Sequence, residues 1–208
     1  MTEPEARRRA VVQFYDTLLD DREGSEVLGW STPWSQEVRF EALAAIGDLS
    51  GRTVLDVGCG RGDLCGWLRE RYEGVMYRGV DLHAGMIDLA RKAYPDAEFT
   101  VRDVLEDDSV DEADYVVSSG LFALTVNVET EFVDAMLARM MALAREGVAV
   151  NFLSNRTPGP EDPRCRYSDP ADILARAFRL TDHVTLKHDY KPNDFTIHLK
   201  HRLPEPPA

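Results

Sequence analysis

The sequence predicts an α/β fold, in which an open, mostly parallel sheet carries helices on both faces and ends in an antiparallel hairpin. Three features lead to this prediction. From Thr53 onward, short apolar runs alternate with helical patterns, which is typical of parallel strands joined by right-handed crossovers. The first run ends in glycines at positions 58, 60 and 62, where a strand turns at once into a helix. Two stretches of alternating polarity, 182 to 189 and 194 to 201, close the chain.

Residues 1 to 50 are predicted to form a helical cover that belongs to the same domain as residues 51 to 203. A helix is expected over about 5 to 21, where apolar residues recur at helical spacing. Proline and glycine indicate a structured loop around Trp30 and Trp34, because two tryptophans require some burial. Ser35 is expected to cap a second helix that runs to about Ile46.

The remaining elements follow in order along the chain. Strands are predicted at 53 to 57, 76 to 80, 97 to 101, 114 to 118 and 147 to 153, and helices at 62 to 71, 84 to 93 and about 129 to 144. The segment from Thr157 to Pro163 holds three prolines and a glycine and is therefore a loop. A helix is expected from Asp169-Pro170 to about Phe178, before the terminal hairpin.

Composition limits the possible functions. A chain of 208 residues with 44% hydrophobic residues suits one globular domain. The formal net charge of -13 argues against nucleic acid and anionic membranes as partners. Cys59, Cys65 and Cys165 match neither a disulfide framework nor a zinc site, so buried thiols and no metal are expected. Without an N-terminal signal or membrane span, a cytoplasmic monomer or homodimer is the expectation.

Acidic residues near the ends of three successive strands indicate a ligand site. The glycine turn places backbone amides and a helix N-terminus beside the ligand, and Asp56 with Asp63 would favour an amine or a sulfonium. Asp81 lies where a ribose diol is held, and Asp103 can accept a hydrogen bond from an adenine amino group, although a solvated turn aspartate is the alternative. A dinucleotide fingerprint needs a third glycine at position 63, so an NAD-dependent oxidoreductase is disfavoured.

These motifs resemble those of the class I S-adenosylmethionine-dependent methyltransferases of small bacterial type. Residues 54 to 62 are similar to the first motif of that family, residues 79 to 82 with Met86 to the second, and residues 102 to 104 to the third. The resemblance covers roughly residues 40 to 200 and implies S-adenosyl-L-methionine as cofactor. It also implies a Rossmann-like sheet of seven strands, whose last strand inserts antiparallel between the fifth and sixth.

The fourth motif matches only loosely. Residues 118 to 122 lack the Asn/Asp-Pro-Pro-aromatic signature of the amino-group methyltransferases that act on nucleic acids and proteins. This difference favours a small-molecule acceptor.

The resemblance also assigns roles to individual residues. Asp56 and the glycines of the turn are expected around the methionine part of the cofactor, Asp81 at its ribose, and Asp103 at the adenine edge. Arg39 suits the cofactor carboxylate, with a surface arginine on an amphipathic helix as the alternative. The full predicted cofactor set is Gln36, Arg39, Asp56, Gly58, Cys59, Gly60, Asp81, Leu82, Met86, Asp103, Val104 and Ser119.

The acceptor side is less determined by sequence, because displacement at an activated methyl group needs desolvation and alignment and no fixed catalytic residue. His188 is the general-base candidate, since its ordinary pKa lies near neutrality and it follows a strand that ends on the ligand side. A structural or exposed role is its alternative, and core packing is the alternative for the aromatic residues. The predicted acceptor pocket contains Tyr15, Trp30, Trp34, Phe122, Asn155 and Tyr190.

The predicted activity is transfer of a methyl group to an oxygen, nitrogen or carbon atom of a small metabolite. Two alternatives stay open: a binding module of the same fold without turnover, and a use of the cofactor that does not methylate.

Overall fold

A computed structural model describes residues 3–21, 32–125, 130–156 and 162–202. Trp30 and most of the proline-rich loop before Pro163 lie outside these residues. The helices are α1 (Glu3–Asp21), α2 (Pro33–Ala44), α3 (Asp63–Arg71), α4 (Ala84–Ala93), α5 (Thr130–Leu143) and α6 (Pro170–Ala177). The strands are β1 (Thr53–Val57), β2 (Met76–Asp81), β3 (Glu98–Val101), β4 (Ala113–Ser118), β5 (Ala144–Ser154), β6 (Tyr167–Ser168), β7 (His183–Lys187) and β8 (Asp194–Lys200).

The strands form one sheet in the order β3-β2-β1-β4-β5-β8-β7, with β6 paired to the end of β5. All pairings are parallel except those of β8, which lies antiparallel between β5 and β7. The predicted Rossmann-like sheet of seven strands with an antiparallel terminal strand is confirmed. The two-residue β6 is an addition that the sequence did not reveal.

Apolar cores lie on both faces of the sheet, as the near-continuous hydrophobic strands require. On one face, α5 and α6 pack against the sheet through residues such as Leu137 and Ile173. On the other face, α2, α3 and α4 pack through Leu43, Leu68 and Ile87. The prediction of helices on both faces is therefore confirmed.

The second helix begins earlier than predicted. Its N-cap is Thr32, whose hydroxyl accepts a hydrogen bond from the Ser35 backbone N–H at 3.1 Å, and Pro33 occupies the first turn, where a missing N–H costs nothing. Ser35 is therefore inside the helix, and its assignment as the cap is wrong. The predicted loop around Trp34 is also wrong at that residue, which belongs to the first turn of α2.

The sheet has a topological switch point between β1 and β4. From β1 the chain continues outward to β2 and β3, then returns to place β4 on the opposite side of β1. The carboxyl ends of these strands meet at one edge, and a crevice opens where the connections diverge. Gly79 on β2 allows Phe99 and Cys59 to pack directly against the strand backbone, because a Cβ there would lie 2.7 Å from the Phe99 ring and 2.8 Å from the Cys59 Sγ.

Of the helices in the described ranges, none combines the length and apolar character needed to cross a membrane.

Candidate functional site

Two adjoining cavities open at the carboxyl ends of β1, β2 and β4. The larger has a volume of about 240 Å³ and the smaller about 90 Å³. They share wall residues from the strand ends and from α1, among them Tyr15, Gly58, Asp81 and Ser119. The larger is also lined by Gln36, Arg39, Asp56, Cys59, Gly60 and Met86, and the smaller by Leu82, Asp103 and Val104. The structure thus brings every predicted cofactor residue to one continuous site.

The glycine turn after β1 lines the site: Gly58 contributes to both cavities and Gly60 to the larger one. Gly58 and Gly60 have φ angles of 76° and 53°, in the left-handed region that favours glycine. The turn is tied to β2, because the backbone N–H groups of Gly58 and Cys59 donate to the Val80 carbonyl at 2.8 and 3.0 Å. Residues in the turn therefore hold fixed positions beside Asp81.

Asp81 is held by two backbone donors at the end of β2. Its Oδ2 accepts a hydrogen bond from Gly60 N–H and its Oδ1 accepts one from His83 N–H, both at 2.9 Å. Burial raises the pKa of this carboxyl, although these hydrogen bonds act in the opposite direction. A carboxylate oxygen can accept more than one hydrogen bond, so the oriented Asp81 retains acceptor capacity for ligand hydroxyls.

Asp56 is a buried acid with an unpartnered oxygen. Its Oδ2 accepts a hydrogen bond from the Tyr77 hydroxyl at 2.6 Å, whereas its buried Oδ1 has no hydrogen-bond partner among the described residues. The pKa of Asp56 is raised to about 7: burial raises it most, the Tyr77 hydrogen bond lowers it, and the nearby charges of Asp81 and Asp63 raise it. An ammonium group in the larger cavity would supply the missing donor and stabilise the ionised acid.

Asp103 marks the polar edge of the smaller cavity, whose other walls include Leu82 and Val104. Its Oδ2 lies 3.4 Å from Arg8 Nη1 and 3.8 Å from Arg7 Nη2, and its Oδ1 accepts the Leu105 N–H at 3.0 Å. The side chain is only 9% exposed, so the alternative of a solvated turn aspartate is wrong. Recognition of adenine by Asp103 stays a prediction.

Helix α1 covers both cavities. Besides the contacts of Arg7 and Arg8 with Asp103, it is attached to the rest of the protein through His83. The Nδ1 atom of His83 accepts the Met86 N–H at 3.2 Å at the start of α4, so the proton of this imidazole belongs on Nε2. That Nε2 donates to Asp16 Oδ1 on α1 at 3.0 Å. Tyr15, next to Asp16, lines both cavities, and burial raises the pKa of its phenol above the ordinary value.

Arg39 lines the larger cavity, but its guanidinium donates hydrogen bonds to acceptors of the protein itself. Its Nε and Nη2 donate to the two carboxylate oxygens of Asp194 at 2.6 and 2.9 Å, and its Nη1 donates to the Ser35 carbonyl and hydroxyl oxygens. The side chain is 4% exposed, so the alternative of a surface arginine is wrong. Its predicted contact with a cofactor carboxylate stays a prediction.

Several residues predicted for the acceptor pocket lie elsewhere. Phe122 is fully buried and stacks on Phe152 with ring centroids 4.8 Å apart, because core packing buries more of its area than the site would. Trp34 is 58% exposed on α2. Asn155 is exposed after β5, and the Tyr190 hydroxyl pairs with that of Thr196 at 2.9 Å. None of these four side chains lines either cavity in the described part of the chain, whereas Tyr15 lines both.

His188 is also outside the two cavities. Its ring packs edge-on against Phe195 with centroids 5.9 Å apart, and it borders a shallow depression with His198 and Lys200. The end of β7 does reach the ligand edge of the sheet, but the imidazole turns toward the core. The structure therefore gives no support to His188 as the general base.

Residues from the second half of the chain complete the larger cavity. Tyr167 reaches it because β6 pairs with the end of β5, and Lys191 and Asn193 reach it from the connection between β7 and β8. Leu124, Leu153, Asp162 and Cys165 are further wall residues at this end. A two-residue strand carries no readable periodicity, and a polar hairpin connection suggests solvent, so the sequence offered no signal for them.

Comparison with known proteins identifies relatives of the chain. Residues 54–147 match the family model described as "Methyltransferase domain". A provisionally named methyltransferase of Mycobacterium tuberculosis is 30% identical over 156 residues, which cover 70% of this chain and 90% of that protein.

Solved structures share the fold at low sequence identity. The complex of DhpI with SAH superposes with a TM-score of 0.71 at 18% identity, covering 93% of this chain and 96% of that one. Magnesium protoporphyrin IX methyltransferase from Synechocystis with bound SAH gives a TM-score of 0.68 at 16% identity, covering 94% of this chain and all of that one.

Proposed function

Because the chain belongs to the class I S-adenosylmethionine-dependent methyltransferases, we propose that it transfers a methyl group to an oxygen, nitrogen or carbon atom of a small metabolite. The observation that carries the proposal is the joint geometry of Asp56 and Asp81. A buried carboxylate oxygen without a partner and an oriented carboxylate with spare acceptor capacity face one continuous site. The first suits an amino group and the second a ribose diol.

The two cavities suit different parts of S-adenosylmethionine. The smaller, with Leu82 and Val104 in its wall and Asp103 at its edge, suits the adenine ring. The larger, which contains Asp56 and the glycine turn, suits the methionine part. Asp63 also lines the larger cavity, and its Oδ2 accepts hydrogen bonds from Gln36 Nε2 at 3.0 Å and from Arg61 Nη2 at 3.1 Å.

When bound, S-adenosylmethionine supplies an activated methyl group on a sulfonium. The residues of this chain then have to hold the acceptor in line and exclude water. Phe40, Leu64, Met86 and Leu153 give the larger cavity apolar walls for this purpose, and Tyr15 covers it from α1. The remaining room for the acceptor lies toward Tyr167 and Asn193, on the far side from the glycine turn.

The negative net charge and the absence of the nucleic-acid methyltransferase signature support a small acceptor. We extend the proposal to a cytoplasmic monomer or homodimer without a nucleic-acid partner.

Calorimetry with purified protein tests the site. We expect Asp81→Ala and Asp81→Asn to weaken S-adenosylhomocysteine binding by at least about tenfold, because a charge-assisted hydrogen bond to the ribose is lost. Asp88→Ala, on the exposed side of α4, is the matched control and should bind as the wild type does. Equal affinity of the Asp81 variants and the wild type would contradict the site assignment.

Incubation with methyl-deuterated S-adenosylmethionine and a metabolite extract tests the reaction. We expect labelled products in untargeted mass spectrometry, formed together with S-adenosylhomocysteine. Binding without any labelled product would indicate a binding module. Consumption of the cofactor without S-adenosylhomocysteine would indicate a reaction that does not methylate.

A further inference from the structure

Lys191 forms a buried charge cluster with Arg39 and Asp194 at the end of the larger cavity. The Lys191 Nζ atom lies 2.7 Å from Asp194 Oδ2, and its side chain is 10% exposed. Arg39 already occupies both oxygens of the same carboxylate. Two cations therefore share one carboxylate in a place that water reaches poorly.

The positive charge of Lys191 is only partly neutralised in this arrangement. An ammonium has three N–H donors, and Asp194 is the single acceptor that Lys191 meets within the described residues. Burial and the neighbouring Arg39 lower the pKa of Lys191, which is the expected effect when a charged form lacks solvent and counter-charge. An anionic group of a ligand would supply the missing counter-charge and further hydrogen-bond acceptors for the Lys191 ammonium.

The position of Lys191 favours the acceptor over the cofactor as the source of that anion. Lys191 lies in the connection between β7 and β8, three residues before Asp194, the first residue of β8. Strands β4 and β5 separate β8 from β1 and its glycine turn. At about 4.8 Å between neighbouring strands, this places the start of β8 roughly 14 Å from the turn. Asp56, Asp63 and Asp81 line the cavity near the turn. At the β8 end, Arg39 and Lys191 exceed Asp194 by one positive charge, and Asp162 is paired with Arg164 at 2.7 Å, so an anionic group is better accommodated there.

Asn193 and Tyr167 line the same cavity as Lys191 and can contribute further polar contacts to a ligand. The β8 backbone that follows is fixed by its pairing with β5, in which Asp194 lies opposite Leu153. Lys191 lies in the turn before this strand, where the Asp194 N–H donates to the Lys191 carbonyl at 3.2 Å.

We propose that the methyl acceptor is an anionic small molecule, and that its carboxylate or phosphate pairs with Lys191. The inference rests on the proposed function, since it names the substrate class of the same site. It makes Lys191 a substrate-binding residue that selects acid-bearing acceptors over neutral and cationic ones.

Fractionation of the metabolite extract before incubation tests the substrate class. The extract is passed over a strong anion exchanger, and the flow-through and the eluted anions are each incubated with enzyme and methyl-deuterated S-adenosylmethionine. We expect labelled products from the eluted anions. Products from the flow-through alone would overturn the inference and leave the proposed function intact, whereas no product from either fraction would overturn both. Products that contain phosphorus separate phosphate acceptors from carboxylate acceptors.

Variants of Lys191 test the residue. Lys191→Met should lower product formation from the eluted anions by at least about tenfold, because a charged hydrogen bond is lost, and Lys191→Arg should restore part of it. Asp194 keeps its bond to Arg39 in both variants, so folding is retained, as melting temperatures will verify. Lys187→Met makes the same change on β7 outside the cavity and should behave as wild type. A Lys191→Met variant that loses S-adenosylhomocysteine affinity tenfold, or that keeps full activity, would overturn the assignment.

Discussion

The Tyr77 hydroxyl donates a hydrogen bond to Asp56 Oδ2 at 2.6 Å. Asp56 is only 2% exposed at the end of β1, so its carboxyl group depends on this donor. We expect Tyr77→Phe to reduce the free energy of unfolding by about 1 to 3 kcal/mol at pH 8, because both oxygens of a buried acid then lack donors. Urea denaturation monitored by circular dichroism measures the change.

Tyr115→Phe is the control for this variant. Tyr77 on β2 and Tyr115 on β4 are both register partners of Val54 on β1, and both belong to the same core. The substitution at Tyr115 removes the same atom from a neighbouring strand without touching Asp56. Equal losses of stability in the two variants would contradict the role assigned to the Tyr77 hydroxyl.

The raised pKa of Asp56 predicts a pH dependence of stability. The folded protein holds the proton up to about pH 7, whereas the unfolded chain releases it near the ordinary pKa of about 3.9. The folded state binds more protons between these values, so the contribution of Asp56 to the free energy of unfolding falls as pH rises from about 4 to about 7. Asp56→Asn should remove this effect, so its stability relative to wild type should rise by up to about 4 kcal/mol between pH 4 and pH 8.

Urea denaturation of both proteins across that pH range measures the difference. Asp107→Asn provides a control of opposite sign, because hydrogen bonds from Ser109 lower the pKa of Asp107. The contribution of the Asp107 carboxylate develops below its ordinary pKa of about 3.9 and is complete above it, so the Asn variant should lose stability relative to wild type as pH rises toward about 4, and the difference should stay nearly constant from about pH 5 to pH 8. A flat difference curve for Asp56→Asn would mean that Asp56 is already ionised at low pH.

The strand ends of the site could be predicted from the sequence, and the directions of the side chains could not. Asp56 and Asp81 end runs of strand residues, and parallel strands bring such positions to one edge. Phe122 and His188 also follow strands, but both rings turn into the core, where aromatic stacking decides their orientation. The burial of Lys191 could not be predicted from the sequence, because it depends on contacts between distant parts of the chain, such as that of Arg39 with Asp194.

The shared carboxylate of Asp194 predicts unequal effects of removing its partners. Asp194→Asn leaves two buried cations facing each other and should cost about 3 to 5 kcal/mol of unfolding free energy. Arg39→Met should cost less, because Lys191 still neutralises Asp194 at 2.7 Å. Asp88→Asn, which removes an exposed pair with Arg91 at 3.7 Å, should cost less than about 1 kcal/mol. Denaturant unfolding ranks the three variants, and a larger loss for Arg39→Met than for Asp194→Asn would contradict the shared-carboxylate arrangement.

The ion pair between Arg8 and Asp103 predicts that α1 controls the release of the cofactor product. Arg8 Nη1 lies 3.4 Å from Asp103 Oδ2, and Asp103 lines the smaller cavity, so breaking the pair should let α1 move away from the site more easily. We expect Arg8→Met to raise the dissociation rate of S-adenosylhomocysteine about two- to fivefold in stopped-flow experiments, the size expected of a partly exposed pair.

Arg9→Met, on the exposed side of the same helix, is the control for this variant and should leave the rate unchanged. Arg7 Nη2 also lies 3.8 Å from Asp103 Oδ2, so if Asp103 serves only to hold α1, Asp103→Asn will match the double variant Arg7→Met with Arg8→Met. A larger rate in Asp103→Asn than in that double variant would indicate that Asp103 also binds the adenine ring. Equal rates in Arg8→Met and wild type would show that this ion pair does not hold the helix over the site.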